Sequence, residues 1–163
     1  MPKPLDANQL MEFAARALSA RALSIGEMRE KLKRRAARKD DVEDVLKRLK
    51  SADLLNDQRF AEGFASWRRE SRIEGKSRIL RELMARRVAP GLAKQAADKA
   101  FQGVDEIAMI AQFLKRKCKG LDLDDKKKLP SAYRKLRSAG FSAANSLRVL
   151  KMDHDPVEDD EIN

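Results

Sequence analysis

The chain repeats itself, and that limits its folds more than any other feature. Met28-x3-Leu32, Ile79-x3-Leu83 and Ala132-x3-Leu136 occupy the same place in three successive rounds of helix signals, 51 and 53 residues apart. Segments 81–96 (RELMARRVAPGLAKQA) and 134–149 (RKLRSAGFSAANSLRV) align without a gap. A period near 50 marks stacked supersecondary units, each too small to bury a core unless it packs on its neighbours. The expected fold is all-α: an elongated, curved array of three tandem three-helix repeats at 8–55, 56–103 and 104–152. The remainder, 153–163, is expected to be a disordered acidic tail, since it holds six acids and no Lys or Arg.

Helix signals fill each round. Leu10, Phe13, Ala14, Ala17 and Leu18 follow the spacing of one helix face. Ser24-Ile25-Gly26-Glu27 has the form of a capping box ahead of Met28 and Leu32. Asp40 or Asp41 is expected to cap a third helix carrying Val42, Val45, Leu46 and Leu49. In the second round, Asn56 or Asp57 caps a helix whose Phe60, Phe64 and Trp67 are expected to fill the core. Gly75 to Ser77 breaks it, Ile79 and Leu83 face inward, and Pro90 suits a first helical turn. The third round has a stripe of Ile107, Ile110, Ala111, Leu114 and Cys118, then Tyr133 and Leu136, Gly140 as a helix stop and Ser142 as a cap.

Charge is the second constraint. The whole chain carries +10, and residues 1–152 carry 36 basic against 20 acidic residues, a net of +16. So one-signed a body is drawn to phosphate backbones or acidic surfaces. A single cysteine, Cys118, fits a reducing compartment. The absence of an apolar leader or a long apolar run predicts a soluble, cytoplasmic protein with no membrane contact.

Catalytic chemistry finds no footing. The only histidine, His154, lies in the acidic tail, so no Ser–His–Asp or Cys–His set can be drawn. No Cys/His cluster has zinc spacing and no glycine-rich loop has phosphate-binding spacing. Pairs such as Glu27–Lys31, Glu30–Arg34 and Glu43–Lys47 have helix-stabilising spacing. No catalytic residue, metal or cofactor is expected, and the chain is expected not to be an enzyme.

The basic clusters carry the functional signal. Arg34 and Arg35 lie in the first round. Arg68, Arg69, Arg72, Lys76, Arg78, Arg81, Arg86 and Arg87 lie in the second, and Lys115, Arg116, Lys117, Lys119, Lys126 and Lys127 in the third. On one concave side they would form a phosphate-matching stripe with salt-sensitive, sequence-independent affinity. The alternative is separate solvated faces whose long stems cover apolar surface.

Three passages resemble the RecX family of recombination regulators. The first runs from Val42-x2-Val45-Leu46-x2-Leu49 into Ala52-Asp53-Leu54-Leu55-Asn56-Asp57-Gln58-Arg59-Phe60-Ala61-Glu62, like the family's "VLxxLxxxGLLDDxRFAE". The second runs from Arg68-Arg69 through Gly75-Lys76-Ser77-Arg78-Ile79-Leu80-Arg81-Glu82-Leu83 and is similar to "G..RI..EL". The third is Arg87-Val88-Ala89-Pro90, echoed by Ala139-Gly140-Phe141-Ser142. The resemblance spans about residues 8–151, and Asp53 and Asn56 depart from the family's frequent Gly and Asp. It implies a monomeric modulator that lies in the groove of the RecA–single-stranded DNA filament. Such a protein would inhibit recombinase, ATPase and co-protease activity in DNA repair and the SOS response. Single-stranded DNA, and duplex DNA as well, are expected partners. The competing reading is a general nucleic-acid-binding architectural protein.

Overall fold

The computed structural model describes residues 1–152, so the expectation for the acidic tail, 153–163, lies outside the described residues. Among the described residues there are nine α-helices and no strand. They are α1 (Ala7–Ala20), α2 (Ile25–Lys33), α3 (Lys39–Ser51), α4 (Asp57–Trp67), α5 (Lys76–Ala85), α6 (Pro90–Ala100), α7 (Glu106–Lys117), α8 (Leu129–Ser138) and α9 (Ala143–Leu150). A π-helical turn, Arg68–Arg72, prolongs α4. The chain is all-α, and it divides into two compact units. Unit 1 is Met1–Ala65 with Glu82–Lys99; unit 2 is Ser66–Arg81 with the chain from Ala100 onward.

Unit 1 is centred on Leu10, Ala14, Met28, Leu32, Val45, Leu46 and Leu49, all fully buried. Each lies on the apolar stripe that helical spacing predicts for α1, α2 or α3. Unit 2 gathers Ile110, Phe113, Leu136, Phe141 and Leu150, with Phe113 and Phe141 edge to face at 5.5 Å. The stripe of α7 is turned from the expected one. Met109, Ile110, Phe113 and Leu114 are buried, whereas Ala111 is exposed and Ile107 half-buried. The large side chains at 109 and 113 compete better for the core than Ala111 does.

Caps account for most helix starts. Ser24 accepts from the Glu27 amide at 3.0 Å, and Glu27 accepts in return from the Ser24 amide at 3.0 Å. Asp6 and Gln9 form a second such box. Asn56, Asp105 and Ser142 cap α4, α7 and α9. The start of α3 corrects the expectation. It follows Arg38, which makes no side-chain cap, and Asp40 and Asp41 sit in the first turn, where their charge faces the positive helix end. The departure at Asp53 sits at φ 54, a conformation where glycine is easiest and Asp tolerable. Arg59 ties that turn down by donating to the Asp53 carboxylate and carbonyl, both at 2.6 Å.

One joint recurs. In unit 1 the start of α2 abuts the end of α5. The Ser24 hydroxyl donates to the Arg86 carbonyl at 2.5 Å, and a Cβ on Gly26 would stand 2.6 Å from the Arg87 Cβ. In unit 2 the start of α5 abuts the end of α8. The Gly75 amide donates to the Ala139 carbonyl at 2.7 Å, and the Ser77 hydroxyl to the Gly140 carbonyl at 3.0 Å. Arg86 and Ala139 each lie three residues beyond the repeated leucine, Leu83 or Leu136. The equivalent residue in the first round, Arg35 after Leu32, has its carbonyl taken by the Leu5 amide at 2.7 Å. Leu5 bridges to Ala36 there.

Candidate polyanion-binding surface

Positive charge is unequally shared. Residues 66–81 and 100–152 hold 18 basic and 7 acidic residues, net +11, whereas residues 1–65 and 82–99 hold 18 and 13, net +5. Among the described residues unit 2 therefore holds the larger positive excess, which the six acids of 153–163 offset in the full chain, and its helices set where that charge points.

α8 buries Leu129, Ala132, Tyr133 and Leu136. Helical spacing then turns Ser131, Arg134, Lys135 and Ser138 outward, and all four are exposed. α7 ends in Lys115, Arg116 and Lys117, where cations complement the unpaired carbonyls of a helix C-terminus. Between them and α5, the π-helical turn closes at Ile73, a buried β-branched residue at φ 54 whose amide donates to the Arg68 carbonyl. A left-handed Ile costs of order 1–3 kcal/mol, which burial of its side chain offsets. The reversal leaves Arg72 and Glu74 on one wall of a cavity.

That cavity, about 580 Å³, is lined by Arg72, Arg78, Lys117, Arg134 and Lys135, with Glu74 the single acid. A second, about 810 Å³, shares Arg72 and Lys117 with it and adds Lys115, Arg116 and Lys119. A third, about 380 Å³, shares Lys135 with the first and Lys119 with the second, and adds Lys127 and Lys128. Shared walls make the three a single trough. Its one acid is compensated: Glu74 is buried and accepts from Arg68 at 3.1 Å, with Arg78 at 3.6 Å. Among the described residues, the side chains of Lys115, Arg116, Lys117, Lys119, Lys127, Arg134 and Lys135 make no ion pair. Cations so arranged hold mobile counterions, and a polyanion that displaces them gains the entropy of their release.

The basic residues singled out from sequence have different fates. Arg72, Arg78, Lys115, Arg116, Lys117, Lys119 and Lys127 meet in the trough. Lys76, Arg81 and Lys126 are exposed in unit 2 outside those cavities. Arg68 serves Glu74, and Arg69 donates to the Ala100 carbonyl and pairs with Glu70. In unit 1, Arg34 is exposed and Arg35 lies over the Phe13 ring at 5.2 Å. Arg87, at φ 63, packs its stem on Gly26.

Arg86 is the most committed. It donates to both Glu27 oxygens at 2.9 and 3.0 Å and to the Ala22 carbonyl at 3.1 Å, and covers Phe60 at 4.7 Å and Phe64 at 5.5 Å. Burial by itself would raise the Glu27 carboxyl. The hydrogen bonds from Arg86, the Ser24 amide and Arg21, with the charge of Arg86, hold it below its ordinary 4.5.

Sequence reasoning missed Arg134 and Lys135, which break no apolar run and form no long basic one. Their signal was positional: they fall on the face opposite Ala132 and Leu136. Trp67 also departs from expectation. Phe60 and Phe64 are half-buried, stacked at 6.0 Å and roofed by Arg86, but Trp67 is 49% exposed. By residue 67 the chain has left unit 1, and two guanidiniums flank the indole instead of a core.

Among the described residues no group of His, Cys, Asp or Glu is placed to hold a metal ion, and no helix is long and apolar enough to cross a membrane.

Comparison with known proteins gives consistent results. Residues 56–96 match the family model described as RecX, second three-helix domain. The chain is 36% identical over 129 residues to the regulatory protein RecX of Herminiimonas arsenicoxydans, covering 79% of this chain and 82% of that protein. It is 28% identical over 145 residues to the regulatory protein RecX of Chlorobium phaeobacteroides (strain BS1), covering 89% and 93%. The fold is similar to the crystal structure of RecX from Lactobacillus salivarius, with a TM-score of 0.68 at 16% identity over 89% of this chain and 94% of that one. A second crystal structure, of a regulatory protein RecX, gives a TM-score of 0.71 at 16% identity, covering 89% and 72%.

Proposed function

The chain belongs to the RecX family of regulatory proteins, and from that premise we propose that it binds the filament formed by the RecA recombinase on single-stranded DNA and inhibits it. ATPase, strand exchange and co-protease activity would all fall. The supporting observation is the trough of unit 2, in which Lys115, Arg116, Lys117, Lys119, Lys127, Arg134 and Lys135 make no ion pair and the one acid is already neutralised. A filament groove combines acidic protein surface with nearby phosphates, and a connected cationic strip satisfies both. The chain acts as a monomeric ligand of the filament in the cytoplasm. Its three-helix repeats at 8–55, 56–103 and 104–152 are the units that engage successive protomers.

We assign the filament contact to Arg72, Arg78, Lys115, Arg116, Lys117, Lys119 and Lys127, joined by Arg134 and Lys135. Arg68, Arg69 and Arg86 hold the fold. The test is RecA ATPase on single-stranded DNA titrated with the chain. Inhibition is expected well below one copy per protomer. Reversing Lys117 and Arg134 to Glu should weaken inhibition and flatten its salt dependence, each lost phosphate contact removing about 0.7–0.9 from the log–log slope. Equal affinity for bare single strands and for filaments at near-physiological salt would instead favour a general nucleic-acid-binding protein.

A further inference from the structure

Trp67 is the only tryptophan in the chain, and half of it faces solvent. A ring this large gains more than most from burial, so its exposure needs an account. Its surroundings are cationic. The guanidinium of Arg68 lies 5.4 Å from the ring centroid and that of Arg72 lies 5.5 Å from it. Arg72 also lines the two larger cavities of the trough. One residue thus joins an exposed indole to a row of cations that includes Lys117, Arg134 and Lys135.

An acidic peptide would use the cations and leave the indole idle. A duplex would present phosphates, but its bases are already stacked on both faces. A single strand uses both features, because its backbone follows positive charge while each base offers a free π-face. We propose that Trp67 is a base-stacking platform. One unpaired base lies on the indole, and the phosphates beside it sit in the trough at Arg72 and Lys117. This rests on the reading that the trough takes a polyanion. It adds that Trp67 takes an unpaired base and so discriminates a single strand from duplex.

The experiment uses the full chain without RecA. Its tryptophan emission, which comes from Trp67 alone, is titrated with oligo-dT and with an abasic strand of equal length. Labelled oligo-dT anisotropy then compares the unmodified chain with Trp67→Ala and Trp67→Phe. Expected are saturable quenching by oligo-dT, roughly tenfold weaker binding by Trp67→Ala and near-normal binding by Trp67→Phe. Duplex and poly-glutamate should compete poorly. If the abasic strand binds the unmodified chain as tightly as oligo-dT, stacking is refuted, and this arm needs no variant to fold. Unchanged affinity in Trp67→Ala, or equal competition by poly-glutamate without quenching, refutes it as well. Intact inhibition of the RecA ATPase alongside a negative oligonucleotide result would remove Trp67 stacking and leave the filament reading standing. Quenching without any effect on the ATPase would do the reverse.

Discussion

Adding one methyl group at Gly75 should damage the chain, whereas the same methyl at Gly63 should help it. A Cβ on Gly75 would stand 2.3 Å from the Gly140 carbon and oxygen and 2.5 Å from the Phe141 amide nitrogen. All three are backbone atoms, so no flexible side chain can swing away. Relief requires the start of α5 to withdraw from the end of α8, which stretches the Gly75–Ala139 hydrogen bond of 2.7 Å and the two that Ser77 makes to the Gly140 carbonyl. Overpacking costs about 1–3 kcal/mol and a weakened hydrogen bond about 1 kcal/mol, giving a total of about 3 kcal/mol. For a chain of this length that lowers the melting temperature by roughly 6–12 °C. Gly63 lies within α4 with nothing within 4 Å of the added atom. There alanine replaces a poor helix former and should stabilise by about 0.5–1 kcal/mol, or roughly 1–4 °C. Thermal melts by far-UV circular dichroism read both. A Gly75→Ala protein melting within a degree of the parent, or a loss of equal size at Gly63, would refute the close-approach argument.

Two further expectations concern half-buried carboxylates. Glu27 binds fewer protons folded than unfolded, so its stabilisation is fully present above pH 4.5 and is lost as the pH falls through its depressed folded value. Glu27→Gln should therefore lower the melting temperature at pH 7, through a loss of about 1–2 kcal/mol, with the gap to the parent closing below pH 4.5; a gap constant with pH would count against the Arg86 contact. Glu106 joins α7 to the start of α9, accepting from the Ser142 amide at 2.8 Å and hydroxyl at 2.6 Å and from the Asn145 side chain. Glu106→Ala should shift the urea midpoint downward, and Ser142→Ala should cost less in that background than in the parent, keeping only the loss of its own cap on α9, because the two act together.

The fold was legible where sequence encodes it locally. Helical apolar spacing located all nine helices among the described residues, and Ser24, Asn56 and Ser142 marked starts that their side chains do cap. The repeat was legible as well, because Leu32, Leu83 and Leu136 hold equivalent places. What was not legible depends on contacts between rounds. Arg86 reads as one more surface cation until Glu27 and Phe60, distant in sequence, are placed around it. Arg134 and Lys135 join the trough only once α8 has chosen its buried face. Trp67 fits a core stripe by spacing, yet by residue 67 the chain has passed into unit 2 and the ring stands half exposed beside two guanidiniums.

Leu5 has an effect out of proportion to its size. The carbonyls of Arg86 and Ala139 each receive the beginning of a helix from another round, and the matching carbonyl of Arg35 receives Leu5 instead. The lateral surface at the end of α2 is thereby closed with four atoms of backbone pairing rather than another helix. The carbonyl that in the later rounds takes a neighbouring helix is already occupied here by Leu5, five residues ahead of Leu10, the first buried position of α1. The pairing is made by main-chain atoms, so a change of the Leu5 side chain leaves its donor and acceptor in place.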